Sequence, residues 1–117
     1  MRGAVAYRTG LAAEETTLRA YEARGSQIAA RRWRGRSGEI DLIARQGDSI
    51  VFIEVKQARD FETAAHRLGE RQTRRLFSAA AEYLAGQPDG LDTQSRFDVA
   101  LVDGAGQLMI VENALAA

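Results

Sequence analysis

Apolar residues recur along this chain with two different spacings. In LAAEETTLRAYEAR (11–24), Leu18 and Tyr21 lie three apart on one helical face, while Glu15, Arg19 and Glu22 share the opposite one. Gly25 is placed to end that helix. QIAARRWR (27–34) reads as a strand. Two more strands are predicted over 38–45 and 49–57. A long helix is expected over 63–86, with Leu68, Leu76, Ala80 and Tyr83 on one stripe. GQPDGLDTQS holds the only proline and several turn formers, so it reads as a loop. FDVALVD (97–103) alternates as a strand, and a Gly104–Gly106 turn leads to a last strand over 107–112. The order αβββαββ predicts an α/β protein with a mixed sheet flanked by helices. With 117 residues and no repeat or linker, a single domain over 1–117 is expected.

The second and third strands carry charge where a buried sheet is expected. If Gly47-Asp48 forms a two-residue type II′ turn, Gln46 faces Ser49. Asp41 then falls opposite Glu54, and Glu39 opposite Lys56. Side-chain alternation puts Glu39, Asp41 and Ile43 on one face with Ile50, Phe52, Glu54 and Lys56. The other face carries Ile40, Leu42, Val51, Ile53 and Val55 and is apolar throughout. A sheet apolar on both sides is covered on both sides, so the charged cluster sits at the edge of a covered face. Two facing carboxylates repel, and burial makes this worse. Lys56 offers one offsetting charge. A divalent cation such as Mg²⁺ or Mn²⁺ offers more, because carboxylate oxygens are its ligands. Glu14, four residues before Leu18 and seven before Tyr21, lies on the inward face of the first helix and is a further candidate ligand. Spacing alone also allows a second reading, a solvated strand end with cross-strand ion pairs.

Composition adds a little. Formal net charge is zero, so the overall charge points to no partner. The absence of cysteine excludes disulfides and thiolate metal sites. No apolar run approaches the roughly 18 residues of a membrane span, and a cytoplasmic protein is expected. Among 16 basic residues Lys56 is the single lysine, which invites a chemical role for it. Arginines cluster at Arg24, Arg31, Arg32, Arg34 and Arg36, and again at Arg67, Arg71, Arg74 and Arg75. Arg31, Arg32, Arg34, Arg36, Arg71 and Arg74 are candidate phosphate contacts, and Trp33 a candidate surface for base stacking. The bland alternatives are a solvated arginine face and a Trp33 in the core or at an interface. Gln72, four residues from both Leu68 and Leu76, is either a core amide or a partner for an active-site water or phosphate. His66 has no visible partner. No GxxxxGK[ST] loop is present, which argues against an NTPase.

Longer strings are more specific. GLAAE with Gly10 and Glu14, GEIDLIAR (38–45), VFIEVK (51–56), RFDVALV (96–102) and IVENAL (110–115) cover nearly the whole chain. In these the chain resembles the YraN family of small bacterial proteins (uncharacterised protein family 0102), predicted endonucleases related to archaeal Holliday junction resolvases. The resemblance implies the restriction-endonuclease-like PD-(D/E)xK fold, with Asp41, Glu54 and Lys56 as the motif residues. It also implies Glu14 as the acid of the first helix. Asp41 and Glu54 would then ligate Mg²⁺ or Mn²⁺, with the Val55 carbonyl as a third ligand. Glu14 and Glu39 would act through metal-bound waters, and Lys56 would orient the attacking water. Ile40 stands where the wider fold's motif has proline, as it commonly does in this family; the chain departs from the family at Arg32, where Asn is usual, and at Ala58-Arg59, where an arginine is displaced. The function implied is metal-dependent hydrolysis of DNA at branched or structured sites. A binding module of the same fold with little catalysis is the alternative. A homodimer would suit cleavage of two strands.

Overall fold

The computed structural model of the chain describes residues 2–65 and 69–115. Along them run α1 (Arg2–Ala23), β1 (Gln27–Arg34), β2 (Glu39–Gln46), β3 (Ser49–Gln57), α2 (Phe61–Ala65), α3 (Glu70–Ala85), a 3₁₀ turn (Gly90–Asp92), β4 (Ser95–Val102) and β5 (Leu108–Val111). The strands form one five-stranded sheet in chain order. β3 and β4 are parallel, and the other neighbours are antiparallel. The chain is therefore an α/β protein with a mixed sheet, as the element order predicts. Among the described residues no helix is long and apolar enough to cross a membrane.

Alternation along β3 decides which helix covers which face. Ile50 and Phe52 join Ile43, Phe97 and the α3 residues Leu76, Ala79 and Ala80 in one core. Val51 and Ile53 join Leu42, Ala44 and Ala100 beneath Leu18 and Tyr21 of α1. α2 closes the far end, where Ala64 packs on Val99 and Leu101. β3 is thus covered on both sides, as a strand in a parallel pair requires. The β2–β3 turn is the expected one: Gln46 pairs with Ser49, and Gly47 has φ 58 while Asp48 keeps a negative φ.

Three expectations need correction. The helix expected over 63–86 is two helices, because Gly69 is extended (φ −96, ψ 166) and starts α3 afresh. Leu68 and His66 lie outside the described residues. The first helix begins at Arg2 rather than at residue 11. Finally, Ile40 packs with Ile43 and Phe52 on the α3 side and not with Leu42. The pleat is distorted here. The β2–β3 ladder ends at Leu42–Ile53, one residue short of the expected Asp41–Glu54 pair. On the other side, Arg32 of β1 falls between the Arg31–Leu42 and Trp33–Ile40 pairs and has a left-handed backbone, φ 48. Regular alternation therefore fails at Asp41.

Candidate active site

The end of the β2–β3 ladder leaves backbone groups of β3 without a strand partner. The Asp41 side chain fills the gap: its Oδ2 accepts a 2.8 Å hydrogen bond from Val55 N–H. A strand residue points its N–H and C=O to the same side, so the Val55 carbonyl opens toward Asp41 as well. Glu54, next along β3, faces α3. Its Oε1 accepts from Gln72 Nε2 at 3.0 Å, and Gln72 Oε1 accepts from Lys56 Nζ at 3.1 Å. Lys56 Nζ also lies 3.4 Å from Glu54 Oε1. The glutamine amide therefore has one orientation, with acid on its donor end and amine on its acceptor end. With both carboxyls ionised, Glu54 Oε2 is buried without a partner, alone in this among the side-chain atoms of the described residues; a proton on either carboxyl would be shared between Glu54 and Asp41.

Electrostatics follow from this geometry. Burial raises the Glu54 carboxyl, and the neighbouring Asp41 charge raises it further, to about 8 against the pull of Lys56. Asp41 is also raised by burial, opposed by the Val55 N–H, by a hydrogen bond with the Glu54 carboxyl and by Lys56. The two carboxyls thus hold protons more tightly than free ones do, and each opposes ionisation of the other. An orphaned carboxylate oxygen beside a second carboxylate is the donor chemistry of a hard divalent cation. Among the described residues no group of three or more His, Cys, Asp or Glu gathers round a common point. Mg²⁺ does not require one, since it typically takes one or two carboxylates and completes its shell with water and substrate oxygens.

A cavity of about 660 Å³ opens over the cluster, lined by Gly38, Glu39, Asp41, Glu54, Gly69, Arg71, Gln72, Arg75 and Leu76. Glu39, Asp41, Glu54 and Gln72 are thereby brought together, with Lys56 joined through Gln72. Glu14 is not on the wall: its buried carboxylate takes Arg32 Nε at 3.0 and 3.2 Å. Glu39 does not meet Lys56. Its partner is Arg34 Nη2 at 3.2 Å. Of the candidate phosphate contacts, Arg71 lines the cavity and Arg74 does not. Arg31 pairs with Glu15 at 3.1 Å, and the Arg36 backbone N–H donates to Glu82. Arg75, one turn from Arg71, lines the cavity although the sequence reading gave it no role; its spacing of four from Arg71 and three from Gln72 is the signal that finds it. Another cavity, about 570 Å³, lies at the carboxyl ends of β3 and β4. Its acid, Asp103, has Oδ1 committed to Ala105 and Gln107 N–H groups.

One further acid went unnoticed in the sequence reading. Asp98, inside FDVALV, is fully buried on the α1 side of β4. It accepts from Tyr21 Oη at 2.7 Å, Arg96 Nε at 3.0 Å, Arg96 Nη2 at 3.3 Å and Asn113 N–H at 2.9 Å. Burial and the adjacent Asp98 carboxylate push the Tyr21 phenol well above its usual range. Ala114 N–H donates to Phe97 C=O at 2.8 Å, so the closing segment is tied to β4 by both residues.

Fold and cluster together define a class: α/β proteins with a carboxylate pair, a lysine and a glutamine on one end of a mixed sheet. The chain belongs to Uncharacterised protein family UPF0102, whose model matches residues 13–102. It is 63% identical over 113 residues to a UPF0102 protein of Ruegeria pomeroyi, covering 97% of this chain and 92% of that one. A UPF0102 protein of Cereibacter sphaeroides is 56% identical over 117 residues, the full length of both chains. One from Dinoroseobacter shibae is 42% identical over 112 residues, 96% of this chain and 84% of its own.

Proposed function

We propose that the chain is a metal-dependent nuclease of the restriction-endonuclease-like kind, hydrolysing phosphodiester bonds of DNA. The observation that carries this reading is the buried, unpartnered Glu54 Oε2 beside Asp41, wired through Gln72 to the single lysine. Asp41 and Glu54, with the Val55 carbonyl, would hold Mg²⁺ or Mn²⁺. When bound, the cation would neutralise charge on the phosphate and acidify a bound water. Gln72 keeps the Lys56 amine at Glu54, where it can orient the attacking water and meet developing negative charge. Glu39, on the cavity wall, is placed to hold a further water. Arg71 and Arg75 supply positive charge at the rim for a polyanion. Glu14 is set aside from this chemistry by its pairing with Arg32, and its role in the reading is structural.

The test is cleavage of labelled duplex, single strand, flap and four-way junction with Mg²⁺, Mn²⁺ or EDTA. The parent should cut only with metal, and Asp41→Asn should lose on the order of 10²-fold or more. Lys56→Ala should fall comparably with binding retained. Salt-sensitive binding without any cutting would leave a binding module instead.

A further inference from the structure

A four-residue turn, Gly35–Gly38, separates the acidic cavity from another of about 540 Å³ lined by Trp33, Arg34, Gly35, Arg36, Glu82 and Ala85. The two are neighbours, since Arg34 lines the second and its guanidinium meets Glu39, which lines the first. The turn between them is fixed. Gly35 N–H donates to Gly38 C=O at 2.9 Å. Arg36 N–H donates to Glu82 Oε2 at 2.7 Å, and Ser37 Oγ donates to Glu82 Oε1 at 3.2 Å. A Cβ at Gly35 would collide with that carboxylate, so glycine is what allows Glu82 to seat the turn. Glu82 thus has both oxygens engaged, which lessens its repulsion of an anion. Trp33 is held as firmly: Tyr83 packs edge-to-face against it, centroids 5.5 Å apart at 84°. The indole packs in part against the α3-side core and is therefore preset, half-buried, lining a cavity together with Arg34 and Arg36.

We propose that this cavity takes the base of an unpaired DNA nucleotide whose strand continues into the acidic cavity. The substrate would then carry single-stranded nucleotides beside the cleavage point. This rests on the nuclease reading and adds a substrate class to it. An aromatic ring that shares a cavity with arginines suits a stacked base and its neighbouring phosphates. In an intact duplex each base face is covered by its neighbours, so only an unpaired or extruded base can enter.

Trp33 is the single tryptophan beside three tyrosines, so emission excited selectively at tryptophan reports on this cavity alone. Titration is done on the full chain in EDTA, where no cutting can occur. A short single strand and a flap should quench Trp33 saturably, and a blunt duplex of the same sequence should not. By anisotropy of labelled DNA, Trp33→Leu should bind the single strand roughly tenfold more weakly. Arg36→Ala, which leaves the core untouched, should weaken it too and lower its salt dependence. Single-strand binding with no change in Trp33 emission would overturn the proposal, as would equal quenching by blunt duplex. Quenching without metal-dependent cutting in the separate cleavage assay would keep the base cavity and remove the nuclease. Cutting without quenching would do the reverse.

Discussion

Asp98 and Glu54 sit on adjacent parallel strands, where Ile53 pairs with Asp98 and Glu54 with Val99. Both are buried acids, yet their surroundings are opposite. Asp98 faces α1 and takes four hydrogen bonds, two of them from a guanidinium. Glu54 faces α3, keeps one oxygen without a partner and has a second carboxylate beside it. A buried acid that serves the fold is saturated by its neighbours. One left short of partners and close to a like charge lowers stability, which makes it a candidate functional group.

The comparison can be broken at its stable end first. Asp98→Ala strands Arg96 and Tyr21 and unties Asn113, and should cost about 3–5 kcal/mol in urea unfolding. A cost near zero would mean that the network does not hold the fold. At the other end, Glu54→Gln removes a repelling charge. It should stabilise the metal-free protein by roughly 2 kcal/mol near pH 8 while abolishing cutting. The sign follows from the raised carboxyl. Between about 4.5 and about 8 the folded state binds more protons at Glu54 than the unfolded state. The Glu54 contribution to stability is therefore fully present below that window and is lost as pH rises through it. Denaturant midpoints across this range should show the loss in the parent and not in Glu54→Gln.

Glu14 lies between the extremes, buried and held by Arg32, whose backbone is left-handed. Arg32→Val loses that partner and places a β-branched residue at positive φ, so it should cost roughly 1–2 kcal/mol by urea midpoint. Arg32→Asn should cost under about 1 kcal/mol, because Asn tolerates this backbone and offsets part of the lost ion pair. The exposed Glu15–Arg19 pair, 3.4 Å apart, closes the series. Arg19→Ala should change stability by less than about 0.5 kcal/mol.

Alternation and turn chemistry made most of the sheet legible. The Gly47-Asp48 turn fixed the register, and the register brought Asp41 near Glu54. Two things were hidden. Alternation assumes a continuous pleat, so it placed Ile40 with Leu42 and missed the distortion at Asp41, which needs Arg32 of β1 to be seen. Helical periodicity continues through Gly69, so the break before α3 had no pattern to mark it. Asp98 left a trace, a lone acid in an otherwise apolar alternation. Its partners Tyr21 and Asn113 lie too far along the chain for spacing to join them. Glu14 was misjudged for a related reason. An inward helical position shows burial and does not show which arginine waits there.

The most direct test of the central claim, that the open oxygen of Glu54 is completed by a metal, is thermal unfolding with and without Mn²⁺ near pH 8. The account predicts that Mn²⁺ raises the Tm of the parent, that the gain shrinks near pH 6 where the Glu54 proton competes, and that Glu54→Gln gains little. No gain in the parent, or equal gains in parent and variant, would contradict it.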